Sequence, residues 1–441
     1  MEVAYLNSEM PAKEQSPVIL PKGMKVFDEE TGEELNPCLI GGIYGHPRSD
    51  KLWMECRDEW ILKEFNSGGW SCKQSVNESC LFIMTGPTGS MSYMLIHTDD
   101  GETIGESEED LEYIEDAFNA RFGVRHQPVT DMLGMHREVR RSEPEAEEYR
   151  EVVLTQAAYL ERVRAKFEQW MPKPNGNRKY DTPLPQNTVL SRLKYEEDEK
   201  EHALAEGQGM YEVAGCINWA ARLTAPECAF AVCQLCKVMD CGTRADFDAG
   251  IKVVDYMHHH RERGIRFRST GNATLKAYYD SGSRDYSDGM NQLGFVIMLA
   301  GGPILWTSKK HTHVVRSTSH EEYMASCWAA REVRWLRRLL CEMGQEEAVG
   351  GPTPLLGDNR AAILLTRNEL ITPANRFYVQ DYYFVKECVK LKEIETQKVA
   401  GKLNISDPLT KFVSGAVMKC LGPWLTGWDD RELPEGDSNI K

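Results

Sequence analysis

Four acidic side chains stand where the sequence pattern predicts that strands or helices begin or end. Asp280 closes an apolar strand, Glu322 falls in the first turn of a long helix, Asp358 follows a second strand, and Asp407 opens a short helix. Ends of elements in one α/β layer can converge, and clustered carboxylates repel one another unless a hard divalent cation neutralises them. The sequence therefore predicts a site for Mg²⁺, or Mn²⁺, on these four side chains.

Phosphodiester hydrolysis is the chemistry that suits such a cluster, because two cations about 3.5–4 Å apart activate a water and stabilise the leaving oxygen. Asp and Glu together number 68 of 441 residues, so position and not residue type singles these four out. Glu321 is the rival of Glu322, and its alternative interpretation is an exposed first-turn acid favoured by the helix dipole.

The elements that must position these carboxylates lie in the second half of the chain. Apolar runs predict strands over 275–280, 293–299 and 303–308, and a long helix follows from a cap at 317–319 through 340. A strand over 354–357 and further helices come next. The order βββαβα predicts a mixed sheet with flanking helices.

Composition shifts predict four regions. Residues 1–171 alternate short apolar runs with amphipathic stretches, as in an α+β domain. Residues 172–268 hold a Pro-rich, charged linker and then a small helical domain, with helices over 211–223, 226–239 and 245–260. The sheet domain occupies 269–425, and an acidic tail occupies 426–441.

Composition and charge narrow the class of protein. A chain that is 41% hydrophobic and 27% charged is neither disordered nor membrane-spanning, and nothing at its start marks it for secretion. The net charge is −16, yet residues 261–340 carry thirteen bases against seven acids. This basic module predicts nucleic-acid contacts at Lys309, Lys310, Arg331, Arg334 and Arg338, although the arginines could also be an ordinary solvated helix face.

Two other signals have ordinary structural interpretations. Cys233, Cys236 and Cys241, with the histidines at 258–260, superficially suggest zinc, but they lie in a helical pattern where small thiols fill gaps in the core. Tyr44 and Trp53 could stack on bases, although buried aromatic side chains are the commoner case. The thirteen irregularly spaced cysteines are typical of reduced thiols.

The segments 302–310, 313–325, 332–340, 358–363 and 406–411 resemble, in order, the ribonuclease H domain of copia-type retrotransposon polyproteins. In that family four acids ligate the metals, and they fall here on Asp280, Glu322, Asp358 and Asp407. The resemblance implies metal-assisted hydrolysis of the RNA strand of an RNA–DNA hybrid. Asn359, beside Asp358, joins the predicted nucleic-acid contacts.

Earlier segments, such as 44–48, 95–100 and 182–185, resemble the copia reverse transcriptase. The resemblance implies a truncated palm, with Asp99 and Asp100 as metal ligands, and then a helical thumb and connection. The chain departs from the family pattern in several ways, three of which follow. His97 and Thr98 replace the usual Tyr-Val before the Asp pair, the first catalytic Asp would lie one residue before Met1, and no histidine follows His320.

These departures predict that the chain does not polymerise DNA and that it is a C-terminal piece of a longer polyprotein. The expected partners are an RNA–DNA hybrid and the rest of that polyprotein, and the expected location is a cytoplasmic retrotransposon particle, or the nucleus. The alternative is an inactive or co-opted fragment that binds nucleic acid without catalysis.

Overall fold

The computed structural model of the protein divides into two compact units, 1–129 and 130–441, and each is described by itself. The residues that it describes are 7–8, 10, 15–18, 24–28, 30–35, 38–43, 45–124, 130–141, 150–173, 180–190, 207, 209–240, 242–269, 273–282, 291–311, 318–367 and 379–438.

The first unit is a four-stranded antiparallel sheet with two helices, preceded by four short strands. In chain order its elements are β1 Ser16–Pro17, β2 Val26–Phe27, β3 Glu34–Leu35, β4 Cys38–Leu39, α1 Ser49–Glu64, β5 Ser71–Gln74, β6 Leu81–Thr85, β7 Met91–His97, β8 Asp100–Gly105 and α2 Glu108–Phe122. Strands β5 to β8 are neighbours in sequence order. Alternate residues of β6 and β7 pack against apolar side chains of both helices, which gives this unit its own core.

The second unit begins with a small antiparallel sheet and a helical region. Its first elements are β9 Asp131–Met132, β10 Met135–Arg141, β11 Arg150–Thr155, α3 Ala157–Lys166, α4 Met210–Leu223, α5 Ala229–Cys236, α6 Arg244–His259 and β12 Ile265–Arg268. The sheet has the order β12-β11-β10-β9. Helix α6 begins at a capping box, in which Thr243 and Asp246 satisfy each other's backbone N–H groups.

A five-stranded mixed sheet forms the rest of the second unit. Its elements are β13 Lys276–Gly282, β14 Gln292–Leu299, β15 Gly302–Lys310, α7 Thr318–Glu342, β16 Thr353–Gly357, α8 Arg360–Arg367, α9 Val379–Lys390, β17 Ile394–Lys398 and α10 Gly415–Leu425. The strand order is β15-β14-β13-β16-β17. Strands β13 to β15 form an antiparallel meander, and β16 and β17 continue the sheet in parallel.

Both faces of this sheet are buried, and successive residues of β13 show it. Ala277 and Tyr279 pack on the side covered by α7, whereas Tyr278 between them packs with Leu421 and Leu425 of α10. A central strand buried on both faces has a continuous apolar sequence, which is why it could be recognised from the sequence.

The predicted mixed α and β architecture is confirmed in the second unit, where the βββαβα order appears within a residue or two of its predicted bounds. The short helix predicted to open at Asp407 does begin there, but it is a single 3₁₀ turn, Asp407–Leu409, with the backbone N–H of Thr410 bonded to the Asp407 carbonyl. The start of the predicted cap, residue 317, lies outside the described residues. Within the described ranges, every helix is too short or too polar to cross a membrane.

Candidate active site

The parallel pairing of β13 with β16 sets two of the four predicted carboxylates level with each other. Ala277 pairs with Leu355 and Tyr278 with Leu356. The same register, carried two residues further, brings Asp358 opposite Asp280 at the carboxyl end of both strands. Parallel neighbours end at the same edge of a sheet, and loops at that edge commonly carry functional side chains.

Three of the predicted carboxylates converge there. Asp280, Glu322 and Asp358 each offer an oxygen, and these oxygens all lie within 4.8 Å of one another. Asp280 is 2% exposed and Glu322 is 6% exposed. Glu322 Oε2 is buried without a hydrogen-bond partner. Three carboxylate oxygens, one of them unpartnered, are the donor set that Mg²⁺ or Mn²⁺ prefers, so the residues fit a hard divalent cation.

The electrostatics of the cluster are those of buried like charges. Burial, and after it the charges of Asp280 and Asp358, raises the pKa of Glu322 to about 9. Burial also raises the pKa of Asp280, although Lys411 and Thr410 act in the opposite direction. Without a cation, the cluster is therefore held together against repulsion, which a bound cation would relieve.

Asp407, the fourth predicted ligand, lies outside this group of three and is paired with a lysine. Lys411 Nζ lies 3.1 Å from Asp407 Oδ2 and 3.5 Å from Asp280 Oδ2. The Thr410 hydroxyl donates to the same oxygen of Asp280. Burial, with the charge of Asp280, raises the pKa of Asp407 to about 7, although Lys411 opposes this. Thr410 and Lys411 belong to the Leu-Thr-Lys motif, from which the sequence predicts a role for Asp407 alone.

Two glycines let the segment with Asp407 and Lys411 lie against the sheet. A Cβ on Gly282 would collide with the Thr410 carbonyl, and a Cβ on Gly294 would lie 2.6 Å from Thr410 Cγ2. Asn404, fully buried, ties the same segment to β13, because its Nδ2 donates to the Tyr279 carbonyl over 3.0 Å. Sequence reasoning does not find Asn404, since an isolated asparagine in a loop carries no pattern.

Glu321 differs from the expectation of an exposed first-turn acid. Its side chain is buried, with 1% exposure, because this side of α7 packs into the unit. It does not belong to the group of three. In the first unit, Asp99 and Asp100 lie at the turn between β7 and β8, where His97 pairs with Asp100. Among the described residues, no group of three ligating side chains contains either of them.

The predicted basic contacts differ in their exposure and in their partners. Arg334 forms ion pairs with Glu393 at 2.6 Å and Glu387 at 3.3 Å, so two carboxylates already oppose its charge. Arg331 and Arg338 are exposed on α7, whereas Lys310 at the end of β15 is half-buried. The side-chain oxygen of Asn359 accepts from the Ala362 N–H and so caps the start of α8.

A cavity of about 930 Å³ opens between the helical region, β15 and α7. Lys309 Nζ lies 4.9 Å from the centre of the Trp328 ring, and both line the cavity together with Trp306, Arg222 and Arg331. Trp328 follows Glu322 by six residues on α7, about 9 Å along the helix axis. The cavity presents a cation stacked on an aromatic face.

The zinc interpretation finds no support among the described residues, where Cys233 and Cys236 belong to no metal-ligating group and Cys233 Sγ accepts from Gln292 over 3.2 Å. Cys241 lies outside the described residues, as does Tyr44. Trp53 is a core residue, 1% exposed, whose Nε1 donates to the Thr98 carbonyl.

Known proteins are similar in sequence to most of this chain. No protein-family model matches. The chain is 26% identical over 382 residues to the retrovirus-related Pol polyprotein from transposon RE2 of Arabidopsis thaliana, which covers 85% of this chain and 24% of that protein. It is 22% identical over 418 residues to the Pol polyprotein from transposon TNT 1-94 of Nicotiana tabacum, with coverages of 94% and 29%. The chain is thus similar, over most of its length, to the Pol polyproteins of copia-type transposons.

The chain spans only about a quarter of the length of the curated relatives it matches. The predicted family resemblance is confirmed. Among solved structures, a ribonuclease H1 isolated from compost by a metagenomic approach aligns with a TM-score of 0.25 at 14% identity, over 31% of this chain and 93% of that one.

Proposed function

We propose that the second unit hydrolyses the RNA strand of RNA–DNA hybrids, with Mg²⁺ or Mn²⁺ held by Asp280, Glu322 and Asp358. The observation that carries the proposal is the convergence of these three carboxylates within 4.8 Å at the end of two parallel strands. A divalent cation bound there would activate a water and polarise the phosphodiester.

The chain's own residues have distinct tasks in this proposal. Asp280 and Asp358 are fixed by neighbouring strands, so their separation is set by the backbone pairing and not by flexible side chains. Asn404 and Thr410 hold the segment with Asp407 against β13. This rigidity places the reacting phosphate and keeps the carboxylates in position as charge develops.

The cavity beside α7 supports the proposed substrate. Trp328, with Lys309 over its ring, offers a face for stacking and a charge for a phosphate, and Arg331 adds a second charge. Preference for a hybrid would then depend on backbone shape and the RNA 2′-hydroxyl, not on base edges. Nucleic-acid binding by Lys310, Arg338 and Asn359 stays a prediction, and for Arg334 it would compete with two ion pairs.

Cleavage of a labelled RNA–DNA hybrid by the full chain tests the proposal. We expect cleavage with Mg²⁺ or Mn²⁺, none with a chelator, and loss of about a hundredfold or more in kcat for Asp358→Asn with hybrid binding retained, because Asn keeps the volume but removes the charge that holds the cation. Cleavage by Asp358→Asn at the wild-type rate would refute the site. Binding without cleavage by the wild-type chain would favour the alternative of an inactive, co-opted fragment.

The relatives make this chain part of a larger polyprotein in our proposal, acting in a cytoplasmic particle or the nucleus. We do not extend it to DNA synthesis, which needs cations bridged by carboxylates from two strands. Within the described part of the chain, Asp99 and Asp100 belong to no group of three ligating side chains, and the segment at residues 3–6 lies outside it. Primer extension on an RNA template above the level of an Asp99→Ala variant would contradict this.

A further inference from the structure

The Lys411 ammonium group lies where a cation bridging Asp280 and Asp407 would be expected. Its Nζ is 3.1 Å from Asp407 Oδ2 and 3.5 Å from Asp280 Oδ2. The two carboxylates are 15% and 3% exposed, whereas the lysine side chain is 45% exposed. The lysine stem therefore reaches in from solvent, and its charged end meets the buried acids.

This placement is fixed by the backbone. The N–H groups of Thr410 and Lys411 both donate to the Asp407 carbonyl, at 3.1 and 3.3 Å. The Thr410 methyl group lies against Gly294, and the Thr410 hydroxyl donates to Asp280. Because the turn is held at these points, the backbone of Lys411 is fixed beside both acids, within reach of its ammonium group.

The ligand arrangement leaves few positions for a second divalent cation. A pair of cations would need Asp280 to bridge them, yet its Oδ2 already accepts from Thr410 and faces Lys411. Asp407, the other ligand that such a cation would use, already binds the ammonium group through Oδ2, which leaves only its buried Oδ1 without a hydrogen-bond partner. The group of three that remains, Asp280, Glu322 and Asp358, is enough for one cation.

We propose that Lys411 takes the place of the second divalent cation, so that the site binds one Mg²⁺ or Mn²⁺ and one fixed ammonium charge. This inference rests on the proposed function. It makes Lys411 a residue of the catalytic site, and it gives Asp407 the task of holding Lys411 instead of ligating a metal.

Counting bound Mn²⁺ in the full chain tests the proposal. Titration followed by electron paramagnetic resonance of free Mn²⁺ should give one tight site in the wild type and two in Lys411→Met, which keeps the length of the stem and removes the charge. The variant should also show the signal of an exchange-coupled Mn²⁺ pair, absent from the wild type. Lys419→Met is the control, because Lys419 is exposed and forms its ion pair with Asp181.

Each result has one meaning. Two tight sites in the wild type, or one site in a folded Lys411→Met protein, would overturn the inference. No Mn²⁺ bound by the wild type would instead contradict the proposed function. If Lys411→Met does not fold, Lys411→Arg keeps the positive charge and should still bind one Mn²⁺, and the wild-type count alone remains decisive.

Discussion

The ring of Phe230 meets the ring of Phe412 edge to face, with centroids 4.8 Å apart and planes inclined at 73°. Phe230 is a buried residue of α5, and Phe412 directly follows Lys411. Helix α5 also contacts the turn Asp407–Leu409. The helical region of the second unit therefore supports the segment that completes the candidate site, although it lies outside the five-stranded sheet.

A smaller side chain in place of Phe230 should slow cleavage without weakening substrate binding. We expect Phe230→Leu to lower kcat about tenfold with KM nearly unchanged, because small displacements of a positioned group are costly in rate. Phe247→Leu, in the core of α6, is the control and should destabilise the fold by a similar amount, on the order of 1 kcal/mol, without changing kcat. Hybrid-cleavage kinetics and thermal melts of both variants test this prediction. Equal kcat values for Phe230→Leu and Phe247→Leu would contradict the supporting role of Phe230.

Much of the sheet could be predicted because its strands are local patterns. Asp280 and Asp358 are recognisable because each ends an apolar run, and parallel strands that end at one edge bring such residues together. Glu322 is recognisable from the motif on the long helix. These three need only element boundaries and one pairing register, and sequence periodicity indicates the boundaries.

The surroundings of Asp407 could not be predicted in the same way. The contact of Thr410 with Asp280 joins residues 130 positions apart, and it depends on glycines that give no pattern of their own. The predicted acidic tail is a similar case. Within it, the Pro434 carbonyl accepts from the buried Tyr278 hydroxyl, and Asp437 pairs with Lys398, contacts that composition cannot indicate.

A methyl group at Gly294 should displace the segment that carries Asp407 and Thr410. A Cβ there would lie 2.6 Å from Thr410 Cγ2 and 2.9 Å from Leu409 Cβ, so the segment must move away from β14. We expect Gly294→Ala to reduce hybrid cleavage about tenfold or more. Gly351→Ala is the matched control, since a Cβ at Gly351 would have nothing within 4 Å and the variant's activity should equal that of the wild type. Full activity in Gly294→Ala would show that the close approach is not required.

His260 should make the stability of the second unit depend on pH. Its Nε2 lies 3.0 Å from the Tyr180 carbonyl, and its ring contacts those of Tyr256 and His259. Burial lowers the pKa of His260, and the nearby charge of Arg263 acts in the same direction. The hydrogen bond to Tyr180 acts in the opposite direction, as does the charge of Glu227.

The direction in which pH changes the free energy of unfolding follows from the two pKa values of His260. A histidine whose pKa is lower in the folded state than in the unfolded state stabilises the fold fully above the unfolded value of about 6.5, and this contribution is lost as the pH falls through the folded pKa. We expect the free energy of unfolding of the wild type to fall more between about pH 8 and pH 5 than that of His260→Gln. Urea unfolding at several pH values measures this, and parallel curves for the two proteins would contradict it.

Replacing Glu322 with a neutral side chain should stabilise the protein when no metal is present. Burial and the charges of Asp280 and Asp358 raise the pKa of Glu322 to about 9, so at neutral pH folding requires Glu322 to take up a proton, and Glu322→Gln removes this cost. In a chelating buffer we expect this variant to melt a few degrees above the wild type. Glu346→Gln, at an exposed position, should leave the melting temperature unchanged.

With Mg²⁺ present, the order of the melting temperatures of the wild type and Glu322→Gln should reverse. Mg²⁺ binds only the folded state of an intact site, so it should raise the melting temperature of the wild type in proportion to the logarithm of its concentration. Glu322→Gln has lost a ligand charge and should show little rise, so that the wild type overtakes it at millimolar Mg²⁺. Differential scanning fluorimetry across a Mg²⁺ series follows the crossing. Parallel rises in the two proteins would mean that Glu322 does not ligate the cation, whatever the cluster's geometry.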